Sequence, residues 1–192
     1  MNIADLLNSI NLFDLLIILL LFGMFIVGFV QGTVRRVLGI LSMLFAFFFA
    51  ANVKDGLGSF LGSHWTQFPP QYGVMIGFLL VFVTGAVVLS LVIQTTYKKA
   101  PLFRRATFVD ELIGGLLGVL LGVMILTFVT IILDSYFLLQ LPPDTDELPF
   151  LRDLWNAIST SGSGALLHER IIPSLMMIAG FLIPETIRMF YQ

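Results

Sequence analysis

Four long apolar runs dominate this chain of 192 residues. They consist almost entirely of aliphatic, aromatic and glycine residues, and they cover residues 12–30, 37–53, 74–93 and 112–133. Each approaches the roughly 20 residues with which a helix crosses about 30 Å of hydrocarbon. Because 58% of the residues are hydrophobic and only 11% are charged, a soluble fold of this size could not bury the apolar surface. The sequence therefore predicts an all-α polytopic membrane protein built on a four-helix transmembrane bundle.

The composition changes after the fourth run. We expect the transmembrane module to occupy residues 1–140 and a Pro-, Ser- and Gly-rich polar loop to occupy residues 141–164, ending in a flexible Ser/Gly link. The last part, residues 165–192, contains an apolar stretch that is interrupted by Pro173 and closed by Pro184. Its length favours an amphipathic interfacial or a re-entrant helix over a further span, and both alternatives stay open.

The positions of Lys and Arg predict the orientation in the membrane. Arg35 and Arg36 follow the first run, whereas the opposite side has Lys54 in a turn expected at residues 54–71. The loop before the fourth run carries four basic residues, namely Lys98, Lys99, Arg104 and Arg105. The positive-inside rule then places both basic loops in the cytoplasm and both termini outside. The same loops are expected to attract anionic lipid headgroups and not nucleic acid. The first run lacks a basic region before it and a cleavage site after it, so we expect it to be a retained span.

Glycine spacing indicates how the helices pack. Gly114, Gly118 and Gly122 recur every four residues and share one face of the fourth helix, and Gly28 and Gly32 repeat this spacing at the end of the first. Small residues at this spacing allow close approach of two helix backbones in lipid, as in a glycine zipper. The alternative is a glycine face that lines a pore or moves against a partner subunit.

Ionisable residues at membrane depth are candidates for function. Asp14 opens the first span and Asp134 closes the fourth, so both are predicted near the outer surface, either solvated there or forming a proton or cation site. Asp110 and Glu111 begin the fourth helix on the cytoplasmic side. We expect them to cap that helix and to pair with Arg35, with ligand gating as the alternative.

These residues carry a resemblance to a known family. The motifs are Asp14, the segment from Gly28 through Gly32 to Arg35, and Asp110-Glu111-Leu112-Ile113-Gly114 followed by Gly118 and Gly122. Together they resemble the colicin V production protein family, CvpA, over about residues 10–140. The resemblance implies a multi-pass protein of the bacterial inner membrane that is linked to toxin production or export and to envelope homeostasis. Arginines that are common in the family at the positions of Gln31, Glu111 and Leu121 are missing here, so their roles do not transfer.

Catalytic and metal-binding patterns are not evident in the sequence. The chain has no cysteine, and His64 and His168 have no carboxylate or second imidazole at metal-ligand spacing. No serine has a histidine and an aspartate in a recognisable motif. The sequence therefore predicts no cofactor, no metal and no enzymatic activity. We expect a scaffold or assembly factor that contacts the lipid bilayer and forms a homo-oligomer or binds other membrane proteins, and the alternative is a small oligomeric channel or transporter.

Overall fold

The computed structural model describes residues 11–96, 107–139 and 147–191, and all regular secondary structure in these residues is helical. Four long helices are α1 (Leu12–Gln31), α2 (Thr33–His64), α3 (Pro70–Thr96) and α4 (Thr107–Phe137). Each is long and apolar enough to cross a membrane. The prediction of an all-α polytopic protein is thereby confirmed. The basic residues at 98–105 lie outside the described part of the chain.

The turn between α2 and α3 is shorter than the sequence predicts. Residues 54–64, assigned to a loop because of their glycines, continue α2, and only residues 65–69 connect it to α3. Gly58 serves packing here, because a methyl group on it would lie 2.5 Å from the Cα atom of Val74. A methyl group at Gly77 would lie 3.0 Å from the backbone nitrogen of Gly58. Glycine thus allows α2 and α3 to approach closely at this level, which the loop prediction missed.

The four helices form two close pairs, in which α1 packs along α4 and α2 packs along α3, while α4 also contacts α2 and α3. Aromatic side chains fill the region where α2, α3 and α4 meet. The rings of Phe47 and Phe128 stack with their centroids 4.0 Å apart, and Phe78 and Phe82 contact the Phe47 ring from α3. All four side chains are buried, so they form the core of the bundle.

The predicted glycine face of α4 packs against α1. A methyl group at Gly114 would lie 2.6 Å from the carbonyl oxygen of Gly28, and one at Gly118 would overlap the carbonyl oxygen of Met24. Gly122 faces the Leu21 side chain at 2.9 Å by the same measure. The face is therefore covered within the chain and lines no pore in it. Gly32, with φ of 78°, lies in the left-handed region and makes the abrupt turn from α1 into α2.

Residues 147–164 are not the polar loop that the sequence predicts. They contain helix α5 (Pro149–Ser159), which begins with a proline at its first position and buries Leu151 and Ile158. The expected flexible Ser/Gly link is also wrong, because Ser161 accepts a 2.9 Å hydrogen bond from the backbone N–H of Gly164 and caps helix α6 (Gly162–Leu166).

The rest of the chain continues from α6 as a bent helical segment. A π-helical turn (Leu167–Ile171) leads into α7 (Ile172–Ala179), a 3-10 turn (Gly180–Leu182), α8 (Glu185–Arg188) and a last 3-10 turn (Met189–Tyr191). Pro173 cannot donate a backbone hydrogen bond, and the wide turn directly before it lets the helix pass this residue. We name residues 147–191 the C-terminal cap, since they cover the end of the bundle where α1 begins and α4 ends.

Candidate functional site

A buried carboxylate lies between α4 and the C-terminal cap. Asp134, in the last turn of α4, is fully buried. Its Oδ1 atom accepts a 2.9 Å hydrogen bond from Nε1 of Trp155. Its Oδ2 atom lies 2.9 Å from Nε2 of His168 and accepts a 2.5 Å hydrogen bond from the Tyr191 hydroxyl. Asp134 is thus enclosed by the chain itself, which corrects the expectation that it is solvated at the surface.

The imidazole of His168 is engaged on both sides. Its Nδ1 atom lies 2.9 Å from the carbonyl oxygen of Gly164, and its Nε2 atom faces the Asp134 carboxylate. Both neighbours are acceptors, so only the doubly protonated ring satisfies both. The hydrogen bond to Asp134 raises the pKa of His168 above its ordinary value of 6.5, although burial opposes this shift. Burial and the charge of Asp134 likewise raise the pKa of Tyr191.

Asp14 makes a second connection between the bundle and the cap. Its carboxylate accepts hydrogen bonds from the backbone N–H groups of Gly162, at 3.1 Å, and Ser163, at 2.9 Å, and from the Ser163 hydroxyl. The start of α1 is capped instead by Asn11, whose side chain accepts a 3.1 Å bond from the Phe13 N–H. Asp14 therefore holds the beginning of α6, a role that the sequence-based expectation of a headgroup-solvated or ion-binding residue did not include.

The first residues of the cap are fixed by two tyrosines of the bundle. Glu147 accepts a 3.1 Å hydrogen bond from the Tyr136 hydroxyl and two from the Arg152 guanidinium, at 2.7 Å and 2.5 Å. The buried Tyr72 hydroxyl accepts a 3.1 Å bond from the Leu148 N–H. The Arg152 guanidinium also lies 4.6 Å from the centre of the Phe137 ring, which adds a cation–π contact.

At the opposite end of the bundle, the starts of α2 and α4 are in direct contact. The Thr33 hydroxyl donates a 2.9 Å hydrogen bond to the backbone carbonyl of Asp110, so the starts of α2 and α4 are linked through the main chain. Gly32 lies against the Asp110 carboxylate, and a methyl group there would be 2.7 Å from Oδ2. Thr33 and Gly32 thus join the start of α2 to Asp110, and the tie through Arg35 stays a prediction.

The groups around Asp134 join the C-terminal cap to the bundle. The Asp134 carboxylate accepts three hydrogen bonds, and both nitrogens of the His168 imidazole have a partner. Within residues 11–96, 107–139 and 147–191, no group of three potential metal ligands occurs. Donors from the C-terminal cap thus satisfy the buried Asp134 carboxylate of the bundle.

Comparison with known proteins gives the family. A family model described as "Colicin V production protein" matches residues 13–154, well over half of the chain. The chain belongs to the colicin V production protein family. This confirms the resemblance found in the sequence and identifies a membrane-embedded protein related to colicin V production. No curated protein matches the chain, and no solved structure does.

The match to the colicin V production family ends inside α5. It covers α1 to α4, but the three donors that surround Asp134, namely Trp155, His168 and Tyr191, lie beyond it. Sequence reasoning missed these donors and treated His168 as isolated, because its partner is 34 residues away. One signal was present: a carboxylate at the end of an apolar helix needs donors, and the segment after it supplies an indole, an imidazole and a phenol.

Proposed function

We propose that this protein is a non-enzymatic scaffold or assembly factor of the bacterial inner membrane that supports production or export of a colicin V-like toxin and envelope homeostasis. The observation that carries this proposal is that Asp14 and Asp134 are both hydrogen bonded to the C-terminal cap. These are the carboxylates that the sequence nominates for proton or cation transfer, and both accept hydrogen bonds from the C-terminal cap. A conducting path through this end would have to displace the cap.

The surface of the cap supports attachment to the outer leaflet. Met177, Ile178 and Phe181 form an apolar patch at α7 and the following turn, and their side chains are 88%, 76% and 80% exposed. Exposed apolar side chains grouped in this way favour insertion into a lipid interface. With the Lys/Arg bias of the loops, we propose that the cap lies on the outer side and that both termini face outward.

Conductance in planar bilayers tests the scaffold against the channel alternative. Purified protein is reconstituted beside its Asp14→Asn variant, and both are expected to give silent bilayers. In parallel, the wild-type chain is expected to restore toxin release in a colicin V producer that lacks its own family member, measured as the zone of growth inhibition. Reproducible single-channel events that the Asp14→Asn change alters would make the protein a channel. Failure to restore release would remove the role in toxin production.

Thiol labelling tests the orientation. Because the chain contains no cysteine, single cysteines can be introduced at Glu185 in the cap, whose side chain is 89% exposed, and at Thr96 at the end of α3. In intact cells, a membrane-impermeant reagent is expected to label the Glu185→Cys protein and to leave the Thr96→Cys protein unlabelled until the cells are opened. The reverse pattern would invert the proposed topology.

A further inference from the structure

A polar cavity lies at the Gly32 end of the bundle, which the Lys/Arg bias assigns to the cytoplasm. It has a volume of about 220 Å³ and lies between α1, α2 and α3, with one residue of α4. Its polar lining residues are Gln31, Arg35, Arg36, Ser42, Ser90 and Gln94. The volume is about seven times the roughly 30 Å³ that a water molecule occupies in the liquid, so a group the size of a phosphate fits inside.

Arg36 is the unusual member of this lining. Only 6% of its surface is exposed, and its Nε and NH2 atoms are buried without a hydrogen-bond partner among the described residues. A buried guanidinium is normally paired, because its desolvation is costly unless an anion or several acceptors replace the lost water. By contrast, the Arg152 side chain is 41% exposed and is nevertheless paired with the Glu147 carboxylate at 2.5 Å.

The residues that line the cavity offer Arg36 no negative charge. The lining contains no Asp or Glu, and Arg35 adds a second positive charge to it. The segment that follows α3 in the sequence, residues 97–106, contains four basic residues and no acidic one. The charge pattern of the lining is therefore that of an anion-binding site.

We propose that this cavity binds a phosphate group, with Arg36 as its main ligand and Arg35 as a second. A planar guanidinium donates two parallel hydrogen bonds to phosphate oxygens, and the amides of Gln31 and Gln94 supply further donors at the rim. The cavity is partly open. The phosphate reaches it either as the headgroup of an anionic phospholipid or as a free anion from the cytoplasm.

Titration of delipidated protein in an uncharged detergent tests the site. Calorimetry is performed with short-chain phosphatidylglycerol, with inorganic phosphate and with short-chain phosphatidylcholine. We expect saturable binding at one site, weakened about tenfold or more by Arg36→Gln, because the lost hydrogen bonds are charge-assisted. The matched control is Arg170→Gln, which removes the same charge from an exposed residue of the cap and should leave the affinity within about twofold.

A second variant keeps the test valid if Arg36→Gln fails to fold. Ser90 lies exposed at the rim, where its hydroxyl accepts a 3.2 Å bond from Gln94, so Ser90→Phe fills the cavity and leaves Arg36 in place. It should weaken binding as Arg36→Gln does. Preference for phosphatidylglycerol over inorganic phosphate and phosphatidylcholine would identify an anionic headgroup as the ligand. Binding of inorganic phosphate would identify a free anion. Absence of saturable binding to all three, or equal affinity in wild type, Arg36→Gln and Ser90→Phe, would overturn the site and leave Arg36 hydrated by water alone.

Discussion

Replacing Asp134 by asparagine tests whether this carboxylate holds the C-terminal cap on the bundle. Asparagine has the same shape, but it has a single acceptor oxygen and an NH2 group in place of the second. If its oxygen faces His168 and Tyr191, its NH2 group faces the indole N–H of Trp155. One donor is then left without an acceptor, and two bonds lose the charge that strengthened them.

The expected loss of free energy for docking of the cap follows from these three contacts. A buried donor without a partner costs about 1–3 kcal/mol, and each of the other bonds loses about 1 kcal/mol when the acceptor becomes neutral. The His168 side chain is 30% exposed, so water replaces part of the loss and the lower end of the range applies. We expect Asp134→Asn to weaken docking of the cap by about 3 kcal/mol, which corresponds to a population of the undocked state more than about a hundredfold larger.

Amide hydrogen exchange in nanodiscs measures this population. Exchange of the amides in α6 and α7 is expected to accelerate by about a hundredfold in Asp134→Asn, while the amides in the centre of α2 and α4 keep their protection. The control is Glu185→Gln, which removes an exposed carboxylate 3.4 Å from Arg188 and should change exchange by less than about twofold. If exchange of α6 and α7 in Asp134→Asn stays within about threefold of wild type, Asp134 does not hold the cap.

Three further predictions concern other parts of the structure. Because the pKa of His168 is raised above 6.5, the contribution of its charged form to docking of the cap is complete below pH 6.5 and is lost as the pH rises through the raised pKa. Trp155 fluorescence, measured in a Trp65→Phe background, should report the release of the cap. The His168→Gln variant should show no such pH dependence. Gly118→Ala should lower the free energy of unfolding, measured in mixed micelles, by about 1–3 kcal/mol, because the added methyl group overlaps the α1 backbone. The control is Gly23→Ala, where the methyl group would have nothing within 4 Å and the change should stay within about 1 kcal/mol. A comparable loss in both variants would argue against the α1–α4 contact. Thr33→Val should cost about 1 kcal/mol in the same assay through loss of its hydrogen bond to the main chain of α4, and an unchanged value would show that this bond contributes nothing.

The membrane fold could be predicted from the sequence because the responsible property is local. A run of about 20 apolar residues forms a spanning helix whatever surrounds it, so the four spans were recognisable without knowledge of their neighbours. Gly114 and Gly118 were recognisable as a packing face for a similar reason, since their spacing along one helix defines the face. The partner of that face, α1, is given only by the structure.

Local composition was misleading at two places. Glycines at 56, 58 and 62 and a Pro/Ser/Gly-rich composition at 141–164 both indicate loops, yet the first group lies inside α2 and the second segment includes α5. In both cases tertiary contacts outweigh local preference, because Gly58 packs against Val74 and the apolar side of α5 is buried on the bundle.

By itself, the sequence determined the membrane class, the number of spans, the family and the candidate functional residues. Only the tertiary structure decided what those residues do, because their partners are remote in the chain. Asp134 meets His168 across 34 residues, and Asp14 meets Ser163 across 149. The same holds for Arg36, whose burial without a partner in the described chain depends on how α1, α2 and α3 are placed around it. Hydrophobicity and helix length are properties of a segment, whereas the pairing of a buried charge is a property of the whole fold.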